Sequence, residues 1–100
     1  MNEQIIQDLV KLALDFQRLY TLRGFIAVSS SGVHLTTDCL FFVCKLLKRD
    51  DYQVVNVGSK VYPFEVKLEI DGVTFFCNDT QAALVDEGFE VTSRVNGGAA

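Results

Sequence analysis

The sequence predicts one α+β domain, in which a long N-terminal helix and a second helix pack on a small antiparallel sheet. Three patterns carry that prediction. Apolar residues from Ile5 onward recur at alternating spacings of four and three, the mark of a helix with one apolar stripe. A Thr-Thr-Asp start leads into CLFFVCKLL and ends on Lys-Arg, which suits a capped helix with a basic last turn. Asp71-Gly72 joins two runs of alternating polarity, the strongest hairpin signal in the chain.

Residues 2–22 read as the first helix, with Asn2 as N-cap, Glu3 in the first turn and Arg23-Gly24 as the stop. Ile5, Leu9, Leu12, Phe16 and Leu19 form the stripe. Ile6, Ala13 and Tyr20 widen it by one position. Two uses of this face are open: it packs on the sheet, or part of it forms a dimer seam. Phe25 to Val28 and Val33 to Leu35 flank a Ser-Ser-Ser-Gly tip and read as a short hairpin. That tip lacks the lysine and the following helix start of a phosphate loop.

The second helix spans about Asp38 to Lys48, and its apolar middle predicts burial on most sides. Asp50-Asp51 marks the turn into a strand at Tyr52–Val57. After Gly58-Ser59-Lys60 comes a longer strand, Val61–Ile70, with Pro63 near its start or at an edge. A two-residue turn then pairs Ile70 with Val73, Leu68 with Phe75 and Val66 with Cys77, all apolar and on one face. The other face carries Glu69 opposite Thr74 and Lys67 opposite Phe76. Phe76 is therefore an aromatic ring on a polar face. Asp79-Thr80 reads as the cap of a short helix that Gly88 ends, and Phe89–Val95 as a last strand or extended tail. The domain thus spans residues 1–95, with residues 96–100 a disordered tail.

Composition narrows the function. Hydrophobic residues make up 49% and charged residues 22%, enough apolar material for one core without staples. Three cysteines and a start, MNEQIIQDL, without a basic region or an apolar run predict a reduced, cytoplasmic location. The longest apolar run is too short for a membrane span. Residues 1–49 hold six Lys/Arg against four Asp/Glu, and residues 50–100 hold three against nine, so the halves carry +2 and −6. Direct nucleic-acid binding needs clustered cations and is disfavoured. An acidic half suits a basic protein surface.

Chemistry-bearing clusters are sparse. His34 is the single histidine, and Cys39 and Cys44 are spaced unlike zinc ligands, so neither a metal nor a cofactor is expected. Cys39 with His34 is the one candidate nucleophile pair, against the simpler reading of all three cysteines as small buried hydrophobes. Glu65 and Glu69 share a strand face with Lys67 and read as a solvated row rather than a catalytic pair. The chain reads as non-enzymatic. The candidate partner-binding residues are Glu65, Glu69, Asp71 and Asp79 as one acidic edge, with the aromatics Tyr62 and Phe76 beside it. Tyr52 belongs to the same aromatic group, which either anchors a partner or is covered by the first helix.

VHLTTDCLFFVCKLL followed by VYPFEVKLEIDGVTFFC, roughly residues 33–77, resembles small proteins encoded by phages and prophages of Gram-positive bacteria. In these an HLT opens an aromatic-rich helix, and a DGV-x-FF hairpin follows a tyrosine-bearing strand. The resemblance implies an accessory protein that binds a host protein in the host cytoplasm. An inhibitor of a defence nuclease, of the anti-CRISPR kind, would occupy the basic channel of its target. The alternative is a structural or assembly protein that forms a homodimer or higher oligomer through the first helix.

Overall fold

The computed structural model describes residues 3–92 and 94–96. Helix α1 spans Glu3–Leu19, strand β1 Phe25–Ser29, β2 Gly32–Leu35, helix α2 Thr37–Leu46 and β3 Gln53–Asn56. Strand β4 spans Phe64–Ile70, β5 Val73–Asp79, helix α3 Gln81–Glu87 and β6 Val95–Asn96. The six strands form one sheet in the order β1-β2-β5-β4-β3-β6. The fold is a single small α+β domain, as the sequence predicts.

Hairpin β4–β5 has the predicted register throughout, from Ile70 opposite Val73 to Val66 opposite Cys77. Its turn places Asp71 at φ 50° and Gly72 at φ 81°, the two positive values of a type I′ turn. A Cβ added at Gly72 would meet nothing within 4 Å, so its cost is conformational alone. Gly72→Val is accordingly expected to cost about 1–3 kcal/mol, read as a lower urea midpoint at an unchanged slope.

Strand alternation sends Val66, Leu68 and Cys77 to one face, where they are buried with Val54 and Leu35. Leu40 and Cys44 of α2, Leu84 of α3, and Phe89 cover that face. Thr80 caps α3, its hydroxyl accepting from the Ala83 N–H at 3.2 Å, and Gly88 ends it at φ 124°. Tyr52 is part of this core rather than an exposed aromatic. Its ring meets Phe89 edge to face at 5.0 Å, and its hydroxyl accepts from the Glu90 N–H at 2.9 Å. Arg94 lies 4.3 Å over the Tyr52 ring and donates to the carbonyls of Asp50 and Tyr52, which closes the C-terminal segment onto the core.

Four details of arrangement differ from the sequence reading. The sheet is mixed, because β2 pairs with β5 and β3 with β6 in parallel. The chain between β2 and β3 passes through α2, and such a crossover frees β2 from antiparallel pairing with the next strands. Second, β4 begins at Phe64, which leaves Val61, Tyr62 and Pro63 in the preceding loop. Third, α2 buries one side only: Phe42 and Leu46 on its outer side are exposed.

The fourth difference is the largest. No residue of α1 is buried. The core face of the sheet is already occupied by α2 and α3. The opposite face carries Glu65, Lys67, Glu69, Thr74 and Asn78 around the stacked Phe76 and His34, a mostly polar surface for an apolar stripe. Helix α1 therefore projects from edge strand β1. Its foot is held by a ladder of rings, Phe16 on Tyr20 and Tyr20 on Phe25, each 5.0 Å apart and edge to face. The molecule measures 52 × 26 × 24 Å. A 17-residue helix is about 25 Å long and accounts for roughly half of the long axis. The expected Asn2 cap and residues 97–100 of the expected tail lie outside the described residues. Asn96 itself pairs with Val55 in β6.

Candidate functional site

Among the described residues, the open sheet face, α1 and the outer side of α2 are left exposed once the core is assigned. On the sheet face, the parallel register sets His34 of β2 beside Phe76 of β5. Their rings stack at 4.7 Å with 8° between planes. Phe76 is thus half-covered by a neighbouring side chain instead of by a helix. Lys67, opposite Phe76 on β4, forms an ion pair with Glu65 at 3.3 Å.

The four acidic candidates do not form one edge. Glu65 and Glu69 share the open face but flank Lys67, four residues apart and so about 13 Å along the strand. Asp71 is exposed in the hairpin turn. Asp79 turns the other way, because it shares the parity of Phe75 and Cys77 and so faces the helices. Its Oδ2 accepts from the Thr37 hydroxyl at 2.6 Å, and its Oδ1 from the Thr80 N–H at 2.8 Å. Asp79 is a strut between β5, α2 and α3. Tyr62 is exposed and borders, with His34, Asn78 and Ile26, a shallow cavity of about 330 Å³ at the far end of the sheet.

At the hairpin end, Arg49 grips Asp51 through Nε at 2.7 Å and Nη2 at 2.9 Å, and Nη2 also donates to the Glu69 carbonyl at 2.8 Å. Each partner favours the charged form of the other: the Asp51 carboxyl is lowered and the Arg49 guanidinium raised. Positive charge is therefore interleaved with the acids on this face.

The thiols are apart from His34. Cys44 and Cys77 are buried, and Cys39 is half-buried on α2, which covers the sheet face opposite His34. Burial pushes the Cys77 thiol up to about 12, and burial followed by the Asp38 charge raises Cys39. At pH 8 a thiol of that pKa is only about one part in ten thousand thiolate. Native protein at pH 8 is expected to leave Cys44 and Cys77 unlabelled by a thiol reagent and to modify Cys39 slowly, while urea releases all three. Fast labelling of Cys77 in the folded protein, read by mass spectrometry, would contradict the core described above. Among the described residues no three His, Cys, Asp or Glu side chains converge as metal ligands.

Helix α1 presents a second surface. Ile6, Leu9, Val10, Leu12, Leu14 and Phe16 are between 39% and 64% exposed. Sequence periodicity found the stripe but not its freedom. The signal for that freedom was the polar second face of the β4–β5 hairpin, which leaves a helix no place to dock. Among the described residues, no helix is long and apolar enough to cross a membrane. No family model, curated protein or solved structure matches the chain.

Proposed function

We propose that the protein is a non-enzymatic assembly module that associates with copies of itself through α1, with the α+β body as the platform. One observation carries this reading: α1 buries none of its residues yet is apolar along its whole length. Seven apolar side chains of α1 are 39–64% exposed, and at roughly 80–100 Å² each they present about 560–700 Å², somewhat below the ~800 Å² per partner of a standard interface. That is at the upper end of, or just above, the ~300–600 Å² of the largest apolar patch on an ordinary monomer. Light scattering at micromolar concentration is expected to give at least twice the 11.1 kDa chain mass. Leu9→Glu should return a folded monomer by circular dichroism. A wild-type monomer across that range removes the reading, and an unfolded mutant returns Leu9 to the core.

A second reading rests on the hairpin tip, where Glu69 and Asp71 are exposed in the half of the chain that carries −6. There the module would occupy a basic surface of a host protein, such as a defence nuclease, as the resemblance to phage accessory proteins implies. Such binding is screened as the Debye length shrinks from ~10 Å at 0.1 M salt to ~3 Å at 1 M. Lysine at both Glu65 and Glu69 should slow association without unfolding the body. Salt-independent binding by that variant at wild-type affinity eliminates the acidic surface.

A further inference from the structure

The apolar arc of α1 is wider than a single partner helix covers. Ile5, Leu9, Leu12 and Phe16 make one seam at spacings of four, three and four. Ile6, Val10, Ala13 and Gln17 make a second at the same spacings, one residue on. One residue is about 100° of helix rotation, so the two seams point to different neighbours. Outside both seams lie Leu14 and a polar arc that carries internal bonds. Gln4 donates to Asp8 at 2.9 Å, and Lys11 pairs with Asp15 at 2.7 Å.

We infer that each α1 packs between two copies of itself in a closed ring of parallel helices, four or five in number. This rests on the self-association reading and goes beyond it. A two-stranded coiled coil buries one seam and leaves Ile6, Val10 and Leu14 in water. In a ring, each helix gives its first seam to one neighbour and its second to the next, a head-to-tail contact that closes on itself. The corner angle is about 90° for four members and about 108° for five, and the ~100° between the seams falls between them. Size complementarity supports head-to-tail packing. Past the isoleucine that opens each seam, the first is larger (Leu9, Leu12, Phe16) than the second (Val10, Ala13, Gln17), so large side chains of one helix meet recesses of the next. A bilayer surface fits the charges less well. Lipid-surface helices carry a basic polar face, whereas here Asp8 and Asp15 balance Lys11 and Arg18.

The test is sedimentation equilibrium of the full chain, wild type and two variants. Wild type is expected at four to five times 11.1 kDa. Leu9→Glu in the first seam and Val10→Glu in the second should each lower the mass four- to five-fold, with the sheet signal in circular dichroism retained. Both positions are exposed in the single chain, so neither change threatens the body. A wild-type dimer that only Leu9→Glu dissociates overturns the ring and leaves self-association standing. A wild-type mass unchanged in Val10→Glu overturns it too. A wild-type monomer removes both readings. A monomer that floats with phosphatidylglycerol vesicles, and ceases to in Leu9→Glu, assigns the face to lipid instead.

Discussion

Leu68→Ala is expected to lower the unfolding free energy by about 2–5 kcal/mol. Leu68 is 1% exposed on the face covered by α2 and α3. It stands opposite Phe75 and between Val66 and Ile70 on its own strand. Removing its Cγ and two methyl groups there leaves a void bounded by β-strand backbone on one side and helices on the other. Neither can collapse without breaking hydrogen bonds, so most of the cavity persists. Phe76→Ala removes a larger side chain from the adjacent strand, yet should cost only about 0.5–1.5 kcal/mol, the scale of one aromatic pair. Its ring is half-exposed and stacked on His34 alone among the aromatics. Urea melts of the two variants decide the matter. Equal midpoint shifts would mean that the Phe76 face is covered as fully as the Leu68 face.

Gly32→Ala should be comparably severe, at roughly 3 kcal/mol or more, for a reason unrelated to cavities. Gly32 opens β2 at φ 128°, where an L side chain is strained. An added Cβ would lie 2.2 Å from the Thr74 carbonyl oxygen of β5. The obstacle is backbone, so no rotamer change relieves it. Relief requires β2 and β5 to separate, and their parallel pairing joins the β1–β2 hairpin, with α1 beyond it, to the rest of the sheet. The contrast with Gly72 isolates the cause. Both glycines have positive φ, but only Gly32 has a close neighbour. If Gly32→Ala and Gly72→Ala shift the thermal midpoint equally, the clash is absent and conformation alone is responsible.

The local parts of the fold were legible in the sequence and the long-range parts were not. A two-residue turn allows one register for β4–β5, and the alternation of Val66, Leu68, Phe75 and Cys77 agrees with it. Thr80 and Gly88 bracket α3 as cap and stop. The parallel pairing of Val33 and His34 with Phe75 and Phe76 has no such local signature, because it depends on where α2 delivers the chain. Asp79 is a different case. Placing Cys77 on the core face already placed Asp79 there, since residues two apart in a strand share a side. Its removal from the acidic edge followed from strand parity. For α1, periodicity showed that the helix has an apolar face, and a periodic face demands burial without naming the surface that supplies it. The nearest candidate, the second face of the hairpin, was already written as polar by Lys67, Glu69 and Thr74.

The stalk has a consequence for how the chain behaves at low concentration. A 17-residue helix without a packed face is marginal in water, because nucleation is costly and few residues share the cost. A ring ladder from Phe16 to Phe25 ties the foot of α1 to the folded body. The rest gains its stability from whatever covers it. On the proposed self-association, ordering of the stalk and its association form one coupled equilibrium. If α1 associates as proposed, dilution is expected to loosen the helix and separate the chains together while the body stays folded.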